Sequence, residues 1–200
     1  MASSPARATG SGPSSLALGD FNGDGILDLA TTNIGSTTMD TVSVLLGKGG
    51  GEFSPRADYP TGPVPHGIAL GDLNNDGKLD IEVANSEASY VSVLLASGDG
   101  AFAARMDYPT GINPLAVALG DLNGDGRLDI VAASNATGIA STVSVLLGAG
   151  DGTFAANAKY AIEADAVSVA VGDLNRDDRP DLVTTSFSSD SVTVLLGSCQ

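Results

Sequence analysis

Four nine-residue runs carry oxygen side chains at their positions 1, 3, 5 and 9. They are Asp20, Asn22, Asp24 and Asp28; Asp72, Asn74, Asp76 and Asp80; Asp121, Asn123, Asp125 and Asp129; and Asp173, Asn175, Asp177 and Asp181. Ca²⁺ takes six to eight hard oxygen ligands, and the backbone carbonyl at position 7 adds one more at Ile26, Lys78, Arg127 and Arg179. Glycine at position 6 (Gly25, Gly77, Gly126) permits the left-handed turn such a loop needs. The fourth run has Asp178 there and Pro180 at position 8, yet keeps all four oxygen side chains. Aspartate tolerates positive φ better than most residues. Asp-Gly and Asn-Gly pairs also make ordinary turns, but recurrence in one register favours metal. The expectation is three to four structural Ca²⁺ ions, with the fourth site the weakest.

The first aspartates lie 52, 49 and 52 residues apart, so the chain is four copies of one unit. Each unit leads into its acidic run with a short alternating segment, such as Leu16-Ala17-Leu18-Gly19 or Ile68-Ala69-Leu70-Gly71. A second segment leaves the run, as in Asp28-Leu29-Ala30-Thr31-Thr32. A third, Val42-Ser43-Val44-Leu45-Leu46 and its three equivalents, has the β-branched alternation of a strand. Glycine turns then precede Phe53, Phe102 and Phe154, each expected to open a fourth, more polar strand ending near Tyr59, Tyr108 or Tyr160. The pattern predicts an all-β fold, a β-propeller of four four-stranded blades at about 11–60, 61–109, 110–160 and 161–200 plus 3–10. The fourth unit stops before an outer strand, while Ser4-Pro5-Ala6-Arg7-Ala8-Thr9-Gly10 resembles the outer strand near Ser54 to Gly62 with two residues deleted. The N-terminal strand is therefore expected to complete the last blade, in the same chain or in a neighbouring one. A share in a larger propeller is the further alternative.

The formal charge of −15 excludes the basic surface that nucleic acid or an anionic membrane demands. Four Ca²⁺ would bring it to −7, since 13 of the 24 acids lie in the four runs. No stretch of 18 apolar residues is present, so no membrane insertion is expected. The lone Cys199 can form no intrachain disulfide. His66 is the only histidine and is expected to cap a strand beside Pro65, which leaves little material for nucleophilic triads. Carboxylate acid-base work would fall to acids outside the runs: Glu82, Glu87, Glu163 or Asp165. Glu82 stands where the other copies have Ala30, Val131 and Val183, and is read as facing a wet channel.

In Gly-Asp-Phe-Asn-Gly-Asp-Gly at 19–25, in the matching runs at 71–77 and 120–126, and in its Val-Ser-Val-Leu-Leu strands, the chain resembles the FG-GAP or VCBS repeat family. That family is known from the integrin α-subunit propeller and from many secreted bacterial proteins. The resemblance implies a propeller with structural Ca²⁺ in the first hairpin of each blade and ligand recognition on the opposite face. Four copies, fewer than in integrins, and Asp178 are the departures.

The function expected from these features is an extracellular or cell-surface, calcium-rigidified module for protein interaction or adhesion, not an enzyme. Its ligand, protein or glycan, would meet the loops that vary between copies: Asn33 to Asp40, Asn85 to Tyr90, Asn135 to Ser141 and Ser186 to Asp190. The alternative is a subunit that self-associates into a filament or oligomer by exchanging its N-terminal strand. A lectin or a polysaccharide-active enzyme domain is less favoured, because the chain has no Trp to serve as a sugar platform. Tyr59, Tyr108 and Tyr160 suit packing or a repeated shallow site equally.

Overall fold

The computed structural model describes residues 6–35, 40–136, 140–155, 158–163 and 165–197, and among them every regular element is a β-strand. The first sheet is a meander of β1 (Pro13–Gly19), β2 (Asp28–Asn33), β3 (Thr41–Leu45) and β4 (Ala57–Pro60). The second comprises β5 (Pro65–Gly71), β6 (Asp80–Asn85) and β7 (Tyr90–Leu94), then a small ribbon of β8 (Ala96–Gly98) and β9 (Ala101–Phe102), then β10 (Met106–Pro109) back on β7. The third contains β11 (Pro114–Gly120), β12 (Asp129–Ser134), β13 (Ser141–Leu146) and β14 (Ala158–Ile162). The fourth has three strands, β15 (Ala166–Gly172), β16 (Asp181–Ser186) and β17 (Ser191–Leu195). No helix among the described residues is long and apolar enough to cross a membrane.

The sheets stack face on face in chain order. Val42 and Val44 of the first pack with Ile81 and Val83 of the second. Val91 and Val93 of the second pack with Ile130 and Ala132 of the third. Val143 and Val145 of the third pack with Val169 and Leu182 of the fourth. A sheet covered on both faces buries its central strand throughout, as β6 and β12 are buried. Each buried Val or Ile contributes roughly 1.5–3 kcal/mol, so these seams, not any one sheet, hold the fold together. The inner strands converge on an open depression lined by Ser14, His66, Gly67, Ala116 and Ser168. His66 is the second residue of β5, where its side chain borders this depression and its carbonyl accepts from Thr32 Oγ1 at 3.1 Å.

Two expectations are corrected. Phe53, Phe102 and Phe154 do not open the outer strands, which start at Ala57, Met106 and Ala158. The phenylalanines pair back on Gly47, Ala96 and Gly148 instead. Phe102 then lies edge-on to Phe21 and Tyr59 of the preceding sheet, with ring centroids 5.5 and 5.4 Å away, and Phe154 meets Tyr108 at 5.0 Å. Edge-to-face contacts of this kind rivet one sheet to the next, which assigns Tyr59 and Tyr108 to packing.

The N-terminal segment, expected to complete the last blade in the same chain or in a neighbouring one, is described only from residue 6. Residues 6–10 form no strand and lie against the first sheet, not the fourth. Arg7 pairs with Glu52 at 2.6 Å, Arg56 Nη1 donates to Thr9 O at 2.6 Å, and Gly10 N donates to Ser43 Oγ at 3.1 Å. The reason is that Thr9-Gly10 makes the same crossing into β1 that Thr61-Gly62 makes into β5 and Thr110-Gly111 into β11. Arg105 donates to Thr61 O, Lys159 to Thr110 O, and Gly111 N to Ser144 Oγ. Residues 1–5 of the expected strand, like Cys199, lie outside the described residues.

Glu82 is the second correction. It is fully buried and pairs across the sheet with Ala69 and Val93, so strand alternation turns it into the seam between the second and third sheets, not to the central depression.

Candidate metal centre

Each acidic run is the hairpin connection between the first two strands of its sheet. The residue before position 1 pairs with position 9 in every copy: Gly19 with Asp28, Gly71 with Asp80, Gly120 with Asp129, and Gly172 with Asp181. The four loops therefore sit at one end of the stacked sheets, and the β2–β3 connection and its equivalents sit at the other.

Inside the first loop, the Asp20 carboxylate accepts from the backbone N–H groups of Gly23, Asp24 and Gly25 at 2.8–3.1 Å. Asn22 Oδ1 accepts from Asp24 N, and Asp24 Oδ1 accepts from Ile26 N. The third loop repeats all five bonds around Asp121, Asn123 and Asp125. The fourth repeats them around Asp173, Asn175 and Asp177. The second holds four of them, around Asp72, Asn74 and Asp76. Short polar side chains that capture the next backbone amides wind the chain into such a turn without help from distant contacts. The N–H bonds from Gly25 foremost hold the Asp20 carboxyl below its ordinary value.

Position 9 has a different task. Asp28 is fully buried, with one oxygen accepting from Phe21 N at 2.7 Å and the other from Gly47 N at 2.7 Å. Asp80 takes Leu73 N and Ala96 N, Asp129 takes Leu122 N and Gly148 N, and Asp181 takes Leu174 N and Gly197 N, all within 2.7–2.9 Å. Each therefore ties its loop to the end of the third strand of its sheet. Burial raises the carboxyls of Asp80 and Asp129 above their ordinary value, against the pull of the two N–H groups. At Asp181, whose sheet has none beyond it, the Gly197 and Leu174 N–H bonds prevail and lower it.

Two features escaped sequence reasoning. Position 4 also needs positive φ, which Gly23, Asn75, Gly124 and Arg176 adopt at 74°, 57°, 75° and 64°. The signal was the Gly, Asn, Gly series at that place. In the fourth loop Asp178 takes φ 62° at position 6, so two non-glycine residues sit left-handed there. The other is a cation inside the loop: Lys78 Nζ lies 2.8 Å from Asp76 Oδ2 and Arg127 Nη1 lies 3.9 Å from Asp125 Oδ2, while the first loop has Ile26 at that place. The Lys78 side chain holds the Asp76 carboxyl below its usual range.

Among the described residues no three acidic side chains are gathered into a metal-holding cluster. The donor chemistry nonetheless fits a hard divalent cation. Each loop offers oxygen only, and a carboxylate has about four lone-pair directions, of which the loop amides use three at Asp20 and two at Asp28.

A propeller-like array of small antiparallel sheets, each closed by one acidic Asx-turn loop, is the class these features define. The chain belongs to the FG-GAP-like repeat family, whose model matches residues 20–83, 72–132 and 130–184. No curated protein sequence matches it. Among solved structures, the chain is similar to an Agrocybe aegerita lectin described for specific recognition of non-reducing terminal N-acetylglucosamine. The two share 22% identity at a TM-score of 0.55 over 90% of this chain and 51% of that one. It is also similar to part of the Photorhabdus luminescens Tc holotoxin pore, with 17% identity and a TM-score of 0.51 over 90% of this chain and 9% of that one. The chain thus spans about half of the lectin and a small part of the toxin chain.

Proposed function

We propose that this chain is a calcium-stiffened, extracellular or cell-surface repeat module that presents a binding surface for a protein or glycan and has no catalytic role of its own. The observation that carries the reading is the recurrence of one hydrogen-bonded loop, with one oxygen donor set, at the same turn of all four sheets. Positions 1, 3, 5 and 9 and the position-7 carbonyl of each loop would hold the ion. Bound Ca²⁺ would supply positive charge where three or four carboxylates crowd, and so fasten the first hairpin of each sheet. Cytosolic Ca²⁺ is scarce, which favours a compartment outside the cell.

Recognition falls to the connections at the end away from the acidic loops, because these differ between copies while the strands do not. Sugar binding by a lectin of the same fold supports a glycan as one candidate, and the interaction surface of a repeat array supports a protein as the other.

The test is calcium titration of the full chain by calorimetry, with thermal unfolding in Ca²⁺ and in EDTA. Three to four ions should bind. One site filled at a hundred times its Kd adds about 2.7 kcal/mol of stability, so EDTA should lower the Tm clearly. An unchanged Tm sinks the metal reading.

A further inference from the structure

The three internal seams share one knob-and-hole contact. A methyl group placed on Gly19 would lie 2.7 Å from Leu79 Cδ1 of the next sheet, one on Gly71 2.6 Å from Leu128 Cδ1, and one on Gly120 2.8 Å from Val171 Cγ1. Each of these glycines is a hole, and the next sheet supplies the knob. Two components of this set have no counterpart. Gly172, the hole of the fourth sheet, meets nothing within 4 Å. Leu18 and Leu27, the knobs of the first sheet, are 55% and 59% exposed. The rest of the two end faces agrees. Val192 and Val194 are 63% and 45% exposed, whereas Val42 and Val44, in the same places of the first sheet, are at most 2% exposed.

We propose that a second copy of this chain associates head to tail with the first, the Leu18–Leu27 face of one seated on the Gly172 face of the other. The two end faces are the two halves of an interface the molecule already makes three times, so the contact continues an established one. The N-terminal segment fits the same geometry. Thr9-Gly10 crosses into the first sheet as Thr61-Gly62 and Thr110-Gly111 cross into theirs, and each of those is preceded by the outer strand of the sheet before. In the docked pair residues 6–8 arrive beside β17, the edge of a sheet that has three strands among the described residues where the others have four. A pair joined through both faces would leave neither exposed. A heterologous contact that did not close would grow into a fibre. The inference rests on the fold alone and is independent of the metal.

Light scattering coupled to size exclusion, on the full 200-residue chain with a thiol reductant to keep Cys199 from linking copies, tests it. The expected mass is about twice 19.8 kDa at micromolar concentration. Gly172→Leu, which fills open space, and Leu18→Asp, at an exposed site, should each leave the circular dichroism and Tm of the monomer intact and reduce association at least tenfold. Mixing the two variants should restore a pair, because one intact face survives on each. A chain monomeric up to about 100 μM, association untouched by both substitutions, or a mixture that fails to pair would overturn the proposal. The first of these results would leave the end faces to further repeats or to another partner.

Discussion

Glu82→Val should stabilise the protein, against the expectation that losing a charged residue from an acidic family costs something. Glu82 is fully buried, with Val93 beside it across the strand pair, and neither carboxyl oxygen has a hydrogen-bond partner. A buried polar group left without a partner costs about 1–3 kcal/mol. Burial also raises the carboxyl well above its ordinary value, which disfavours its charged form in the folded protein. Valine has nearly the same volume, suits a strand, and already stands at the equivalent positions Val131 and Val183. The expected gain is about 1–3 kcal/mol, which for a chain of this size raises the Tm by roughly 2–12 °C.

The pH dependence of that gain has a definite sign. Because the folded-state value is raised, the folded protein binds the extra proton, and stability falls as pH climbs from about 4.3 towards the folded value, by up to about 1.4 kcal/mol per unit. Urea unfolding followed by circular dichroism, at saturating Ca²⁺ and from pH 4 to 8, measures both chains. The difference between them cancels the loop carboxylates, which are common to both, and should widen with pH and be smallest at pH 4. A variant less stable than the parent, or a difference that does not grow with pH, would mean that the carboxyl is partnered or solvated in solution. Val131→Glu places the same group in the seam between the third and fourth sheets and should lower stability by a similar amount.

The loops allow further tests. Lys78→Ile should raise calcium affinity at the second loop, since it removes the ammonium that competes for Asp76; both side chains are well exposed, so the pair is worth about 0.2–1 kcal/mol and the gain is no more than about fivefold by calorimetry. Asp178→Gly should relieve a left-handed aspartate at φ 62° and raise stability by about 0.5–1 kcal/mol in urea titration, together with the affinity of the fourth loop; a loss of stability would show that Asp178 makes a contact worth more than the strain.

Most of the fold was legible because the units repeat. The Val-x-Val strands and the nine-residue loops announce their positions through alternation and spacing, and every sheet uses the same pairing of glycine with the ninth-position aspartate. What a single sequence period cannot convey is which face of a strand meets which neighbour. Glu82 and Val93 share a side only through the strand register, so the burial of Glu82 in a seam was invisible, and the phenylalanines look like strand residues until their rings are found against the preceding sheet. The ninth-position aspartates were legible as oxygen donors, but their two bonds to distant amides reach across 7 and about 16–19 residues and leave no local mark.

The ninth position would also couple a bound metal to the fold. Asp28 and its equivalents spend two lone-pair directions on Phe21 and Gly47 or their counterparts, and so join the loop to the far end of the third strand. An ion drawing on the directions that remain would pull the same carboxylate from the loop side, tightening a tie that already exists. Stiffening would then travel from the loop into β3, β7, β13 and β17, whose side chains at the sheet faces form the seams between sheets. Three of those four strands face a following sheet, and only β17 presents its Val192 and Val194 to an open face. Any order that calcium imposes on the fourth loop is therefore delivered to the surface on which a second copy would seat.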